Sequence, residues 1–289
     1  MDQTNKGRSD NDKNENNNNN SNDNPVTMVT AFFDINREEK GDGRSIDEYK
    51  EWLKKTLQLN CNLFIVTEEK FRTFFLENRP PQYAKQTHIK VIEFADLHYY
   101  RYYDDMKAIL ERPEYKSRIA HPNRVECRLP EYNIIQYSKF HCLKMAMERD
   151  VFQSTYFLWM DAGCSRFFLD VDLSLPYPSM SGRSALKDTA GKFMIQKRQD
   201  LETFPIVDDQ FIWLADNLLY GTLFGGNKKV IHKMAGLVER TFQRKMLANN
   251  NVNNEQLALA LVWKENPELF YVTENSRMCH LILFKLLAL

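Results

Sequence analysis

The sequence predicts an α/β fold: a mainly parallel central sheet with helices on both faces. Three observations carry this. Short runs of β-branched and aromatic residues alternate with stretches of helical periodicity. The run Tyr156-Phe157-Leu158-Trp159-Met160 stops at one carboxylate, Asp161, followed by the small pair Ala162-Gly163. A second apolar run from Leu219 leads into Gly225-Gly226-Asn227 before another helical pattern. Unbroken apolar strands are those covered on both faces, and strands separated by helices favour right-handed crossovers between parallel neighbours.

The elements follow in order. Residues 1–24 are mostly Asn, Asp, Lys and Ser, with an Asn run from Asn16 to Asn20; such a stretch buries too little to offset the entropy of ordering and reads as a disordered tail. Val26 to Phe33 is a first strand. Ser45-Ile46-Asp47-Glu48 is a capping box, opening a helix with Tyr49, Trp52, Leu53 and Leu57 on one face. Asn62 to Thr67 is a second strand, Glu68 to Leu76 a helix, and His88 to Phe94 a third strand. Arg101 to Leu129, rich in charge and aromatics and broken by Pro113, Pro122 and then Pro130, reads as short helices and loops outside the sheet. A helix from about Ile134 to Asp150 leads into the strand that ends at Asp161. Leu173 to Ser184, with Pro176, Pro178 and Gly182, has the composition of a loop, either over a site or on the surface. A short strand at Phe193 to Ile195 and a helix near Phe211 to Asn217 precede the glycine-ended strand. The stripe Ile231, Met234, Val238, Phe242 and Met246 then marks one helix, and Asn253-Asn254-Glu255-Gln256 opens another. Leu269 to Val272 is a late strand. With no internal repeat and no linker, residues 25–289 are expected to form a single domain.

Composition narrows the function classes. Lys plus Arg equals Asp plus Glu at 39 each, so no global field draws the chain to nucleic acid. Any anionic ligand must be held locally. The five cysteines are scattered and never spaced as C-x-x-C, which argues against a disulfide framework or zinc knuckle and suits a reducing compartment. The longest C-terminal apolar run, Leu281 to Leu289, is interrupted by Lys285 and is too short to span a bilayer. The expectation is a cytoplasmic protein without a transmembrane segment; a homodimer is compatible with it.

Four landmarks resemble the HtrL/YibB family: Val29-Thr30-Ala31-Phe32-Phe33-Asp34-Ile35-Asn36-Arg37; Tyr137-Ser138-Lys139; Trp159-Met160-Asp161-Ala162-Gly163; and Leu223-Phe224-Gly225-Gly226-Asn227 followed by Asn254-Glu255-Gln256. The resemblance spans about Val26 to Tyr271. It implies a GT-A fold and a glycosyltransferase that moves a hexose or N-acetylhexosamine from a nucleotide sugar, a UDP-sugar above all, to a glycan or other hydroxyl acceptor. One departure stands out. The metal motif of that fold has two aspartates flanking one residue, whereas this chain has Asp161-Ala162-Gly163.

Breaking the bond to a nucleoside diphosphate builds negative charge on a departing oxygen, which a divalent metal or cationic side chains can stabilise. For the metal route, manganese or magnesium, the candidates are Asp161 and His280; for the cationic route they are Arg37 and Lys139. Phe33 and Asp34, at the carboxyl end of the first strand, are candidates to stack on the base and accept hydrogen bonds from base or ribose. Gly225 and Gly226 would let a sugar or acceptor touch backbone. Glu255 is the candidate base for the acceptor hydroxyl. Each has a plainer reading: a turn-forming Asp34 or Asp161, a packed His280, a solvated Arg37, a tight turn at the glycines, a dipole-favoured carboxylate at Glu255. A nucleotidyltransferase is disfavoured because Glu38-Glu39-Lys40-Gly41-Asp42-Gly43-Arg44 sets acids in the loop where a triphosphate would sit. The competing class is a non-catalytic nucleotide-sugar or glycan-binding protein with a degenerate metal site.

Overall fold

The computed structural model describes residues 25–168, 170–214, 218–274 and 281–289. The Asn-rich tail, the last three residues of the helix expected to end at Asn217, and His280 lie outside them. Seven strands form one sheet: β1 (Val26–Phe32), β2 (Asn62–Thr67), β3 (Thr87–Val91), β4 (Tyr156–Met160), β5 (Phe193–Lys197), β6 (Leu219–Asn227) and β7 (Phe270–Thr273). The helices are α1 (Arg37–Lys40), α2 (Ile46–Thr56), α3 (Glu69–Asn78), α4 (Tyr103–Glu111), α5 (Pro113–Arg118), α6 (Pro130–Arg149), α7 (Met180–Asp188), α8 (Asp208–Leu214), α9 (Lys228–Thr241), α10 (Glu255–Glu265) and α11 (Ile282–Ala288). No helix among the described residues is long and apolar enough to cross a membrane.

The strand order is β3-β2-β1-β4-β6-β5-β7. Every pairing is parallel except those of β6, which runs against both β4 and β5. The mainly parallel sheet expected from the sequence is therefore present, with one reversed strand. Period-two alternation divides each strand between two cores. Val29, Ala31, Phe64, Val66, Phe157, Trp159 and Phe224 face α6, α9 and α10. Met28, Phe32, Leu63, Ile65, Leu158, Met160 and Leu223 face α2, α3, α7 and α11. Because both faces are covered, the strands read as continuous apolar runs.

Local chemistry fixes several boundaries. Ser45 Oγ accepts from the Glu48 amide at 3.2 Å while Glu48 accepts from the Ser45 amide at 2.9 Å, completing the capping box. Pro130 opens α6 at a position where its missing N–H costs nothing, rather than ending the preceding loop. The segment expected as a loop from Leu173 to Ser184 is a loop only in its first half: Ser179 accepts from the Gly182 amide and caps α7. Gly182 sits there because a β-carbon would lie 2.3 Å from the Leu287 carbonyl oxygen, so α7 and α11 touch through backbone.

Candidate active site

The order of the strands determines where a ligand belongs. The chain lays β2 and β3 on one side of β1, then crosses back to place β4 on the other, so the sheet reverses direction of growth between β1 and β4. Loops leaving the carboxyl ends of those two strands diverge and leave a crevice. A cleft enclosing about 770 Å³, part of it open to solvent, occupies this point. Its floor is Phe33, Trp159, Asp161 and Gly163; α1, α2 and α6 contribute Arg37, Tyr49 and Tyr132; Arg44 and Arg166 complete the rim.

Three guanidinium groups thus surround one carboxylate, and they are held differently. Arg37 makes a bidentate pair with Asp42 at 2.6 and 2.7 Å, donates to the Tyr49 hydroxyl at 2.5 Å, and lies over the Tyr132 ring at 4.7 Å. Burial disfavours its charge, but the Asp42 bonds outweigh this and its pKa goes up. Arg37 therefore ties the Asp42 loop and two rings into the wall of the cleft. Arg166 is exposed, lies over Trp52 at 4.5 Å and donates to the Gly163 carbonyl at 2.9 Å, an attachment that leaves its terminal nitrogens for a ligand.

Beneath the cleft is a buried charge cluster. Lys139, 1% exposed, projects from α6 and donates to Glu255 Oε1 at 2.7 Å and to the Gly221 carbonyl at 2.9 Å, and pairs with Asp161 Oδ1 at 3.0 Å. The Trp159 indole N–H donates to the same Asp161 oxygen at 2.6 Å. Asp161 is thus clamped through Oδ1, and its other oxygen has no partner among the described residues. Glu255 is wholly buried, with Oε2 unpartnered, in the first turn of α10 behind the Asn254 cap. Two carboxylates share one ammonium, so the cluster carries one excess negative charge when all three ionise. Burial pushes the Glu255 carboxyl up to about 7, although Lys139 pulls it down. Burial would lower the Lys139 pKa, but Asp161 and Glu255 raise it. The proton thus settles on the more deeply buried acid.

This produces a pH dependence of stability. The folded state holds a proton on Glu255 that the unfolded chain, with a pKa near 4.5, gives up first. The stabilisation is complete below about 4.5 and lost as pH rises through about 7. Unfolding free energy should fall across that window, by on the order of 3 kcal/mol from this group, and Glu255→Gln should remove the slope. Equal slopes for the two proteins in urea titrations at pH 4.5 to 7 would refute the assignment.

Over residues 24–288 the chain matches the family model described as "Bacterial protein of unknown function (HtrL_YibB)". The chain belongs to the HtrL_YibB family. No curated protein matches it. Among solved structures it is similar to the 4-diphosphocytidyl-2C-methyl-D-erythritol synthase of Anaerococcus prevotii, at 12% identity over 88% of both chains with a TM-score of 0.39. It is also similar to the PaToxG glycosyltransferase, at 13% identity over 83% of this chain and 68% of that one with a TM-score of 0.30. Likenesses of this size carry no argument about the reaction.

Within this HtrL_YibB chain the structure gathers some of the expected residues and disperses others. Phe33, Arg37 and Asp161 line the cleft; Lys139 and Glu255 lie directly beneath it. Asp34 turns away: it accepts from the Asn36 amide and pairs with Lys70 at 3.1 Å, bonds that hold its carboxyl below the usual range despite burial. Glu255, expected as a base for the acceptor, has no exposed atom with which to reach one. Gly225 and Gly226 are also displaced. Because β6 is antiparallel, they pair with Leu158 and Phe157, toward the amino end of β4 and away from Asp161. There a β-carbon on Gly225 would strike the Phe157 carbonyl at 2.2 Å, and one on Gly226 would strike Val230 at 2.5 Å, so both serve close packing.

The glycine that meets the buried cluster is Gly221. Its neighbour Thr222 accepts from the Asp161 amide at 2.9 Å, and a β-carbon at 221 would lie 2.1 Å from Glu255 Oε1. An isolated glycine inside an apolar strand was its sequence signal. Arg44 and Arg166 had none beyond following, by eleven and six residues, the expected strand ends at Phe33 and Met160. Among the described residues no group of three His, Cys, Asp or Glu side chains can hold a metal ion. Of the two metal candidates, Asp161 offers a carboxylate whose Oδ1 is already shared with an ammonium, and His280 lies outside the described residues.

Proposed function

We propose that the protein is a glycosyltransferase whose nucleotide-sugar donor, a UDP-sugar first, lies in the cleft at the carboxyl ends of β1 and β4 and whose acceptor is a glycan or other hydroxyl. The observation that carries this is the pairing, at the topological switch point, of a clamped carboxylate with uncommitted guanidinium nitrogens between aromatic walls. Phe33, Tyr49 and Tyr132 offer faces for the base. Arg166 and Arg44 take the charge that develops on the diphosphate as the sugar leaves, without a metal. Asp161, fixed by Lys139 and Trp159, turns its free oxygen to a donor hydroxyl.

The test is a thermal-shift and nucleotide-release screen with UDP-, GDP-, CMP- and ADP-sugars, each with manganese, magnesium or chelator. One donor should stabilise the protein in chelator as well as in metal, since a ligand bound only by the native state raises its stability. Silence from every nucleotide would sink the reading. Asp161→Asn should reduce donor turnover by about 100-fold or more while keeping the melting temperature, because Lys139 retains Glu255 and the Gly221 carbonyl. An active variant would remove Asp161 from the mechanism. One observation favours a second reading, binding without turnover: the cleft brings no carboxylate other than Asp161 to an acceptor. Stabilisation with no nucleotide release in the presence of acceptors would select it.

A further inference from the structure

We infer that the groove beside the donor cleft is the acceptor subsite and that it takes an anionic oligosaccharide bearing carboxylate or phosphate groups, an inference that rests on the transferase reading above. The groove encloses about 810 Å³, part of it open to solvent, between α1, α4, α5 and the start of α6. It shares walls with the donor cleft. Lys40 in the groove closes α1, whose first residue, Arg37, lines the donor cleft; Glu131 in the groove precedes Tyr132, which lines the donor cleft. A chain lying in the groove would run past the donor end of the sheet.

Its charge is unlike that of the molecule as a whole. Lys40, Lys107, Lys116 and Arg128 face Glu111 and Glu131, an excess of two positive charges in a chain whose total is zero. All four cations are exposed, and none makes an ion pair with a described residue. An incoming anion would displace no internal partner, so its attraction is not spent on breaking an existing pair.

A further feature favours a sugar. Tyr103 lines the groove, stacks on Tyr100 at 5.5 Å between centroids, and donates its hydroxyl to Glu131 Oε1 at 3.1 Å, which fixes its ring. Sugar rings carry apolar C–H faces that pack on such a platform. The segment from Arg101 to Leu129, whose charge and aromatics set it apart in the sequence, thereby acquires a use.

The experiment measures binding of the full chain to fluorescent oligogalacturonate, a phosphorylated oligomannoside, a neutral maltooligosaccharide of equal length and a single-stranded oligonucleotide, at low and high salt. At least one acidic glycan should bind more tightly than the neutral one and weaken with salt; which of them binds separates carboxylate from phosphate. Lys107→Glu/Lys116→Glu should weaken that binding at least about tenfold with the same thermal midpoint and the same stabilisation by the donor nucleotide. Lys107→Arg/Lys116→Arg should retain it. Equal affinity for the neutral glycan, indifference to charge reversal, or tighter binding of the oligonucleotide would overturn the proposal. If no nucleotide stabilises the protein while the acidic glycan behaves as expected, the donor reading alone falls and the groove stands as an anionic-glycan site.

Discussion

Lys139→Met is expected to lower the unfolding free energy by about 3–5 kcal/mol at pH 7, the usual cost of removing one partner from a buried ion cluster. The methionine fills most of the lysine's volume, so the loss is electrostatic. Without the ammonium, Asp161 and Glu255 repel each other and the Gly221 carbonyl loses its donor. Asp161, about a third exposed, can recruit water; Glu255 cannot and must protonate. The deficit should therefore shrink at pH 5, where Glu255 is already neutral, and in the double variant Lys139→Met/Glu255→Gln, which removes both charges together. Urea unfolding at two pH values measures this. A loss below about 1 kcal/mol would mean that the cluster is no more than a surface-grade pair. Activity should fall further than stability, because Asp161 loses the clamp that fixes its orientation.

Gly221→Ala is the second large effect, and one methyl group is enough to cause it. The β-carbon would lie 2.1 Å from Glu255 Oε1, 3.1 Å from Gln256 Cγ and 3.2 Å from Glu255 Cδ, so either β6 moves from α10 or Glu255 leaves Lys139. Overpacking of this kind costs about 1–3 kcal/mol, and the upper end is expected because the displaced group is charged. Donor turnover should fall with it, since the hold on Asp161 runs through Lys139. The decisive comparison is the double variant Gly221→Ala/Glu255→Ala. Truncating the carboxylate removes the clash and leaves Lys139 paired with Asp161 alone, so the two changes together should cost less than their sum. Additive losses would show that the strain lies elsewhere. Gly225→Ala makes an informative contrast: its β-carbon also clashes, against the Phe157 carbonyl, but far from the cluster, so it should destabilise without the pH signature of Glu255.

The readings that held rest on information carried by short stretches of chain. Ser45 and Glu48 cap a helix because the two groups that satisfy one another are three residues apart. The apolar run from Tyr156 to Met160 is a strand covered on both faces, as its five-residue length and aromatic content indicate, and Asp161 lies at its end because a carboxylate cannot be buried there without a partner. Glu255 was expected to face an acceptor and is wholly buried instead, because a carboxylate in the first turn of a helix looks the same from the sequence whether it faces water or core. Its partner became visible only where α10 meets α6 and Lys139 lies 2.7 Å away.

By itself the sequence determined the α/β class, the strand and helix order, the isolated acid at the end of β4 and the local caps, because each depends on periodicity or on contacts within a few residues. Only the tertiary structure decided the direction of β6, and with it which glycine meets the buried cluster. Strand direction is fixed by the path of the chain between β5 and β6 and leaves no mark on apolar alternation. The same holds for the cluster: Lys139, Asp161, Gly221 and Glu255 come from four separate elements, and a buried ammonium can choose its carboxylates only after the sheet has closed over it.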